Sequence, residues 1–447
     1  MRDLFVATIV FGLLPVVLVR PFVGILLLAG LGYLNPHRLC YGFMLEMPVV
    51  MIVALVTLVA MLASREAKRM VWSREVVVLV LFVLWMGITT TQAVYYEPAS
   101  TQYVKVIKIQ ILTFMALLLL TTPERVHLLV WAIVFSIGFY GLKGGIFTIV
   151  HGGVYRVQGP PGTFIEGNNE LALAMVMTIP LMRYLQLTEK SNSIRLALTG
   201  WMLLTAIAAF GSQSRGALVA LVFTGGMFWI KSRKKFMTAV LVAVAAIVAL
   251  SIMPPEWFQR MNTIETYQDD ESALGRINAW WTAYHVANAR FFGAGFEMWR
   301  PGVFAAYAPD PGNVRDAHSI YFKVLGEHGW IGLALFLTLL GLTWLKCGSV
   351  IRLAKKRPDM TWARDLAAMI QVALVAYMSA GAFLGLSYFD YVYHLVAIVV
   401  VLYTFVRPAP AAQAAPAPDV AAVPLTLGLA LSRLRHGWRR GPQQPGP

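Results

Sequence analysis

The chain has 447 residues, of which 58% are hydrophobic and only 13% charged, with a mean hydropathy of +0.66. Soluble domains carry about 45–50% apolar and about 25% charged residues, so this composition excludes a string of soluble domains and identifies an all-α polytopic membrane protein. The net charge of +15, from 37 Lys and Arg against 22 Asp and Glu, reads as membrane-anchoring charge rather than a nucleic-acid surface, and the 2 cysteines, Cys40 and Cys347, exclude a disulfide framework.

A helix needs about 20 apolar residues to cross the hydrocarbon core. Such runs occur at Leu4–Leu34, broken at Arg20-Pro21, and at Met47–Ala63, Val76–Val94, Val104–Thr121, Val126–Val150 and Glu170–Leu187. They continue at Ile194–Phe210, Ala217–Ile230, Phe236–Met253, Ser319–Leu345, Leu366–Leu386 and Val392–Val406. The total is about twelve if Arg20-Pro21 only breaks the first span, or thirteen if it turns a hairpin. Met1–Asp3 followed by Leu4–Val19 has the form of a signal peptide, but no A-x-A-like site follows, and the expectation is a retained anchor.

Basic residues orient the spans. Arg65, Lys68, Arg69 and Arg74, then Arg125, then Arg183, Lys190 and Arg195, then Lys231–Lys235, and finally Lys346–Arg364 and Arg407 fall in alternate loops. The positive-inside rule makes those loops cytoplasmic. The opposite loops, 35–46, 95–103, 151–169, 211–216 and 254–318, are then extracytoplasmic. The expected organisation is a first transmembrane part at 1–253 with outer loops 151–169 and 211–216, an outer cap at 254–318, and a second transmembrane part at 319–407. An Ala- and Pro-rich cytoplasmic tail at 408–447, expected to be disordered, carries a weak basic patch at Arg433–Arg440.

The outer loops from His151 to His318 carry Arg156, Arg215, Arg260, Arg276, Arg290, Arg300 and Arg315, and no lysine. Guanidinium matches phosphate oxygens bidentately, whereas ammonium is a point charge. For any one of these, an ordinary salt bridge with Glu256, Glu265, Asp269, Asp270, Glu271 or Asp316 is the competing account; for the whole set, an anionic ligand at the membrane surface is the better one. Arg215 stands in Gly211-Ser212-Gln213-Ser214-Arg215-Gly216, between two apolar runs, where a charge is costly and marks a functional site by default. The stretch Arg156 to Glu170 combines the rigid turn Gly159-Pro160-Pro161-Gly162 with Asn168 at a helix start; Asn168 either caps that helix or belongs to an anion site.

The segment 254–318 is too long for a tight loop. Its clearest helix is Ser272–Arg290, where Ile277, Trp280, Trp281 and Tyr284 recur at helical spacing and are expected to pack on the spans. His318 begins the next span near the outer surface. It is read either as a general base for a sugar hydroxyl or as a hydrogen-bonding histidine at a helix start. His328, three turns deeper, is read as a packing residue. Asp390, between the last two spans, bonds an arginine, orients the histidine or simply occupies a loop. Asp269-Asp270-Glu271 reads as a solvated acidic loop rather than a metal site, and no nucleotide-binding motif appears. No cofactor is expected.

Taken together, Ser214-Arg215-Gly216, Gly275-Arg276, His318 and Gly326-Glu327-His328-Gly329-Trp330-Ile331-Gly332 resemble the O-antigen ligase/polymerase family. Asn35-Pro36-His37-Arg38 and Gly159-Pro160-Pro161-Gly162 before Asn168-Asn169 resemble its O-glycosylation ligase branch, and the likeness spans most of residues 1–407. The resemblance implies a GT-C-like fold of about twelve helices with a periplasmic helical cap, in the bacterial inner membrane. It implies a metal-independent, inverting glycosyltransferase with His318 as base. Arg215 and Arg276, joined by Arg156, would hold the diphosphate of an undecaprenyl-diphosphate-linked glycan donor, with Asp390, Asn168 and Arg290 in support. The implied acceptor is the lipid A–core oligosaccharide, with a protein acceptor also open. Polymerases of the same family use the same donor, and a lipid-linked oligosaccharide transporter is the reading from another class. The family often has His-Asn where this chain has His318-Ser319; Ser319 is still expected to cap the helix.

Overall fold

The computed structural model describes residues 1–66, 68–232, 234–262 and 271–407. The tail 408–447 with Arg433–Arg440, the pair Asp269-Asp270 and the side chain of Arg260 lie outside the described residues. The helices are α1 (Arg2–Val19), α2 (Pro21–Tyr33), α3 (Phe43–Glu46), α4 (Val49–Ala63), α5 (Arg74–Thr91), α6 (Tyr96–Leu119), α7 (Pro123–Val150), α8 (Asn168–Thr188) and α9 (Asn192–Gly211). They continue as α10 (Arg215–Lys231), α11 (Lys235–Ile252), α12 (Pro255–Asn262), α13 (Glu271–Ala289), α14 (Pro301–Tyr307), α15 (Ile320–Ala354), α16 (Thr361–Gly381) and α17 (Asp390–Val406). Among the described residues there is no strand.

Eight of these helices, α1, α5, α6, α7, α8, α9, α11 and α15, are long and apolar enough to cross a membrane. The protein is a polytopic helical membrane protein. The sequence count of about twelve is higher because it also counted the runs of α2, α4, α10, α16 and α17, none of which meets the same measure of length and apolarity. Of these, α2, α4 and α17 are apolar but only 13, 15 and 17 residues long. At 1.5 Å per residue they reach about 20–26 Å, short of the ~30 Å hydrocarbon core.

Arg20-Pro21 turns the chain. Arg20 leaves the helical region (φ −133°, ψ 85°) and Pro21 opens α2 at its first position, where its missing N–H costs nothing. Asp3 Oδ1 accepts the N–H groups of Gly42 (3.0 Å) and Met44 (3.2 Å). The start of α1 therefore lies beside the segment that follows α2, and the two helices form a hairpin.

The centre of the bundle is α8, apolar on nearly every face, packed against α7, α9 and α16. Close approach of α7 to α9 depends on small residues, as in membrane helix pairs generally. A Cβ at Gly145 would stand 2.3 Å from the Leu204 carbonyl oxygen. Trp201 Nε1 donates to the Gly138 carbonyl at 2.7 Å across the same seam.

One long helix is broken. Gly329 takes φ 66°, ψ −172° inside α15, a conformation open essentially to glycine alone. The carbonyls just before the break find donors elsewhere. Ala294 N–H donates to Gly326 (2.9 Å), Gly295 N–H to Glu327 (2.9 Å) and Trp85 Nε1 to His328 (2.8 Å). A Cβ at Gly329 would meet the Phe291 carbonyl oxygen at 2.6 Å, and one at Gly293 would meet the Gly326 carbonyl oxygen at 2.7 Å. Backbone thus touches backbone where the α13–α14 connection docks on α15. Gly329→Ala is expected to destabilise the protein by roughly 1–3 kcal/mol or more, seen as a lower melting temperature in detergent. An unchanged melting temperature would show that the break is not required.

Candidate functional site

The starts of α8, α10 and α15 meet at the end of the bundle opposite the strongly basic loops. Helix starts carry unpaired N–H groups and partial positive charge, which suits an anion. Arg215 is the first residue of α10; Ser214 caps that helix by accepting the Ala217 N–H at 3.2 Å. Arg215 itself is half-buried. Asn168 does not cap α8, because Gly167 holds the cap position. Its Nδ2 instead donates to the Ser212 carbonyl at 2.8 Å and ties the α8 start to the turn before Arg215. Arg156 is exposed and its Nε reaches Gln213 Oε1 at 3.3 Å, on the same turn. Gln213 takes a left-handed φ of 55° and donates to the Gly153 and Val154 carbonyls.

His318 stands on the other side of this cluster. A Cβ at Gly216 would lie 3.3 Å from the Leu384 side chain, and one at the adjacent Gly385 would lie 3.9 Å from His318 Cα. His318 has φ 42°, which is strained for a residue with a side chain. Several contacts hold it there. Asp316 Oδ1 accepts its N–H at 3.1 Å, Asp316 Oδ2 pairs with Lys323 Nζ at 2.7 Å, and Trp280 Nε1 donates to the neighbouring Ala317 carbonyl at 2.8 Å. The side chain of His318 keeps 40% of its surface exposed, and its Nδ1 lies 4.0 Å from Glu170 Oε1 on α8. Ser319 occupies the cap position of α15 but its buried Oγ makes no hydrogen bond, contrary to the expected capping role.

Helix α13, which carries Arg276, packs against the segment that leads to His318. Asn278 Nδ2 donates to the carbonyls of Asp310 (2.8 Å) and Asn313 (3.1 Å), and its Oδ1 accepts the Asp310 N–H. Trp280 stacks on Phe322 with ring centroids 5.0 Å apart. Arg276 is one turn earlier on the same helix and half-buried. The aromatic stripe divides: Trp280 packs on α15, whereas Trp281 and Tyr284 are exposed.

Two residues expected in support stand apart. Arg290 lies 14 residues beyond Arg276, about 21 Å along the helix axis. Its Nε donates to the Gly293 carbonyl and its Nη2 to the Gln92 carbonyl, both at 3.0 Å. Asp390 faces Gly32, where a Cβ would meet its Oδ2 at 3.2 Å. Among the described residues it has neither an arginine nor the His318 ring as an ion-pair partner. His328 is fully buried, with Nδ1 2.7 Å from Thr89 Oγ1 and its ring 4.5 Å from that of Phe296. It packs, as expected.

Residues 200–337 match the family model described as O-antigen ligase. This stretch of the chain is similar to O-antigen ligases. Arg215, Arg276, His318 and the break at Gly329 all fall inside the matched stretch. Residues 1–190, which supply Arg156, Asn168 and Glu170, match a family described as one of unknown function, DUF5935. No curated protein matches the chain.

Sequence reading missed Glu170 as a neighbour of His318, because the two are far apart in the chain and only packing of α8 beside the α15 start joins them. It also gave Asp316 no partner but an outer arginine; the partner is Lys323. Burial works to raise the Asp316 carboxyl, but Lys323 and the His318 N–H outweigh it and hold the group below its ordinary 3.8. A depressed carboxyl contributes stability above its unfolded value and loses it as pH falls toward the folded one. Asp316→Asn is therefore expected to lower the melting temperature of the protein at neutral pH. The gap from the unsubstituted protein should narrow below pH 3.8. A constant gap would mean that the charge contributes nothing.

Proposed function

We propose that the protein is a glycan ligase acting outside the bacterial inner membrane. It transfers O-antigen from undecaprenyl diphosphate to the lipid A–core oligosaccharide. The observation that carries this reading is the meeting, through Gly216, Leu384 and Gly385, of His318 and the Arg215 helix start, both of which belong to the stretch that matches the O-antigen ligase model. The dense Lys and Arg of the alternate loops, assigned to the cytoplasm, support the periplasmic placement of the site at the opposite end. The GT-C-like architecture, with 254–318 as the cap between transmembrane parts 1–253 and 319–407, belongs to the same proposal.

The mechanism is one inverting displacement. The His318 imidazole takes the proton of an acceptor hydroxyl. That oxygen bonds the anomeric carbon of the first donor sugar while the bond from that carbon to the diphosphate oxygen breaks. The electron pair leaves with undecaprenyl diphosphate. Arg215 and Arg276, with Arg156 at the rim, face the charge that grows on this leaving group. Fixed donors aimed at developing charge lower the barrier more than they tighten binding. The partial exposure of His318 fits a base that must meet a large glycan acceptor.

Deletion strains separate the family's activities. Missing glycan on lipid A with carrier-linked polymer intact is the expected result. Single-repeat glycan still reaching lipid A would instead identify a polymerase, and glycan lost from proteins a protein ligase. In the purified system, Arg215→Lys and Arg276→Lys should each lose most transfer at normal membrane abundance, because a point charge does not reproduce a bidentate grip. His318→Ala should abolish transfer yet leave carrier binding largely intact. Near-normal transfer by any of the three would remove that residue's role.

Guanidinium groups supply the positive charge that a carboxylate-held Mg²⁺ or Mn²⁺ would supply in other diphosphate-releasing enzymes. Transfer is therefore expected to persist in excess EDTA, and Asp269→Asn with Asp270→Asn should leave it nearly unchanged. Loss in EDTA with recovery on adding Mg²⁺ would overturn the metal-independent mechanism.

A further inference from the structure

Glu170 is the third residue of α8, and its side chain folds back over the helix start. A Cβ at Gly167 would stand 2.1 Å from Glu170 Oε2. The other carboxylate oxygen, Oε1, faces His318 Nδ1 at 4.0 Å, with only 19% of the Glu170 side chain exposed. The ring's remaining nitrogen, Nε2, is then the one left for a substrate. Apo-state catalytic contacts are commonly longer than a hydrogen bond and tighten, directly or through one water, when substrate is bound. We propose that Glu170 is the positioning carboxylate of His318: it accepts the Nδ1–H, fixes the tautomer with Nε2 free to take the acceptor proton, and balances the imidazolium that forms.

The inference deepens the ligase reading and rests on His318 being its base. The logic is that of any carboxylate that orients a general-base imidazole without itself taking the proton. The backbone supports the same division. Asp316 is occupied by the His318 N–H and Lys323, so the carboxylate from the histidine's own loop holds the main chain. Glu170, from a different helix, is the carboxylate left to the ring. The other charged groups of this end are Arg156, Glu166, Arg215, Arg315, Asp316 and Lys323, and Arg215 has its proposed role on the donor side.

The test is steady-state transfer by the purified full-length protein, with an undecaprenyl-diphosphate-linked glycan as donor and lipid A–core as acceptor. Glu170→Gln is expected to lower kcat about tenfold or more, a fraction of what a general base contributes, while KM for the donor stays within about twofold. The acidic limb of the kcat profile should move to lower pH, because the imidazolium loses its counter-charge and its pKa falls. Gly167→Ala provides a second variant. Gly167 has φ −68°, ψ 149°, which alanine adopts freely, and the new methyl meets only the movable end of Glu170. It should lower kcat and shift the limb in the same direction with both members of the pair intact. Unchanged kcat in Glu170→Gln, or a loss matched by lower thermal stability with the pH limb unmoved, would overturn the proposal and leave Glu170 as a helix-start residue. His318→Ala separates the two readings. If it abolishes transfer while Glu170→Gln is normal, only the Glu170 inference fails; if it transfers normally, the base assignment fails with it.

Discussion

Inside an apolar bundle a main-chain carbonyl without a donor costs several kcal/mol, and at Gly329 the chain gives up helical geometry where three such carbonyls stand in a row. Their donors come from Ala294, Gly295 and Trp85. The outer segment after α13 is thus fastened to the membrane helix by the helix's own unmet need. Everything that follows in the site depends on this docking. It fixes the far end of α13 against α15, while Trp280 fixes its middle on Phe322 and Ala317. The loop that ends at His318 is then held between α13 and the start of α15, and its left-handed backbone has no room to relax.

Charge is distributed according to the same economy of contacts. The seven outer arginines read from the sequence do not act as one set. Arg300 lies over the Tyr95 ring, 5.4 Å from its centroid, and Arg290 serves carbonyls near the break in α15. Both secure the outer segment to the end of α5. Arg156 and Arg215 lie instead at the turn before α10 and at its start. One residue type therefore does two kinds of work, and the difference lies in what stands beside each guanidinium. Where carbonyls and an aromatic ring are in reach, as at Arg290 and Arg300, it builds structure; at the convergent helix starts its proposed task is to face the donor's diphosphate.

The helices were legible because composition and run length leave no alternative, and the broken first span was legible as far as Pro21. That Arg20-Pro21 turns the chain depended on Asp3 meeting Gly42 and Met44, a contact between residues about forty apart that no local pattern encodes. Arg215 stood out because its charge interrupts two apolar runs, His318 because a titratable ring opens a span, and Arg276 because it belongs to the lysine-free outer set and the family resemblance. Glu170 did not, because a carboxylate in the first turn of a helix has an ordinary explanation in the helix dipole. Arg290 and Asp390 show the converse error. Position in an outer loop made them candidates, while their side chains settle on Gly293, Gln92 and the neighbourhood of Gly32.

The site is shared between the two matched regions. Arg215, Arg276 and His318 come from residues 200–337, whereas Arg156, Asn168 and Glu170 come from residues 1–190. The stretch 200–337 alone therefore supplies the proposed base and two arginines but not the carboxylate beside the base. It also lacks the loop that packs on the Gly211–Ser214 turn through Arg156, Gln213 and Asn168. Since α8 is both the buried centre of the bundle and the helix that carries Glu170, the first region is not an accessory to the second. A change in how α8 packs would move a carboxylate at His318 and an amide at Ser212 together. The geometry around the histidine is thus set by the packing of the whole bundle, and the strained backbone at His318 is tolerable only because that packing is rigid.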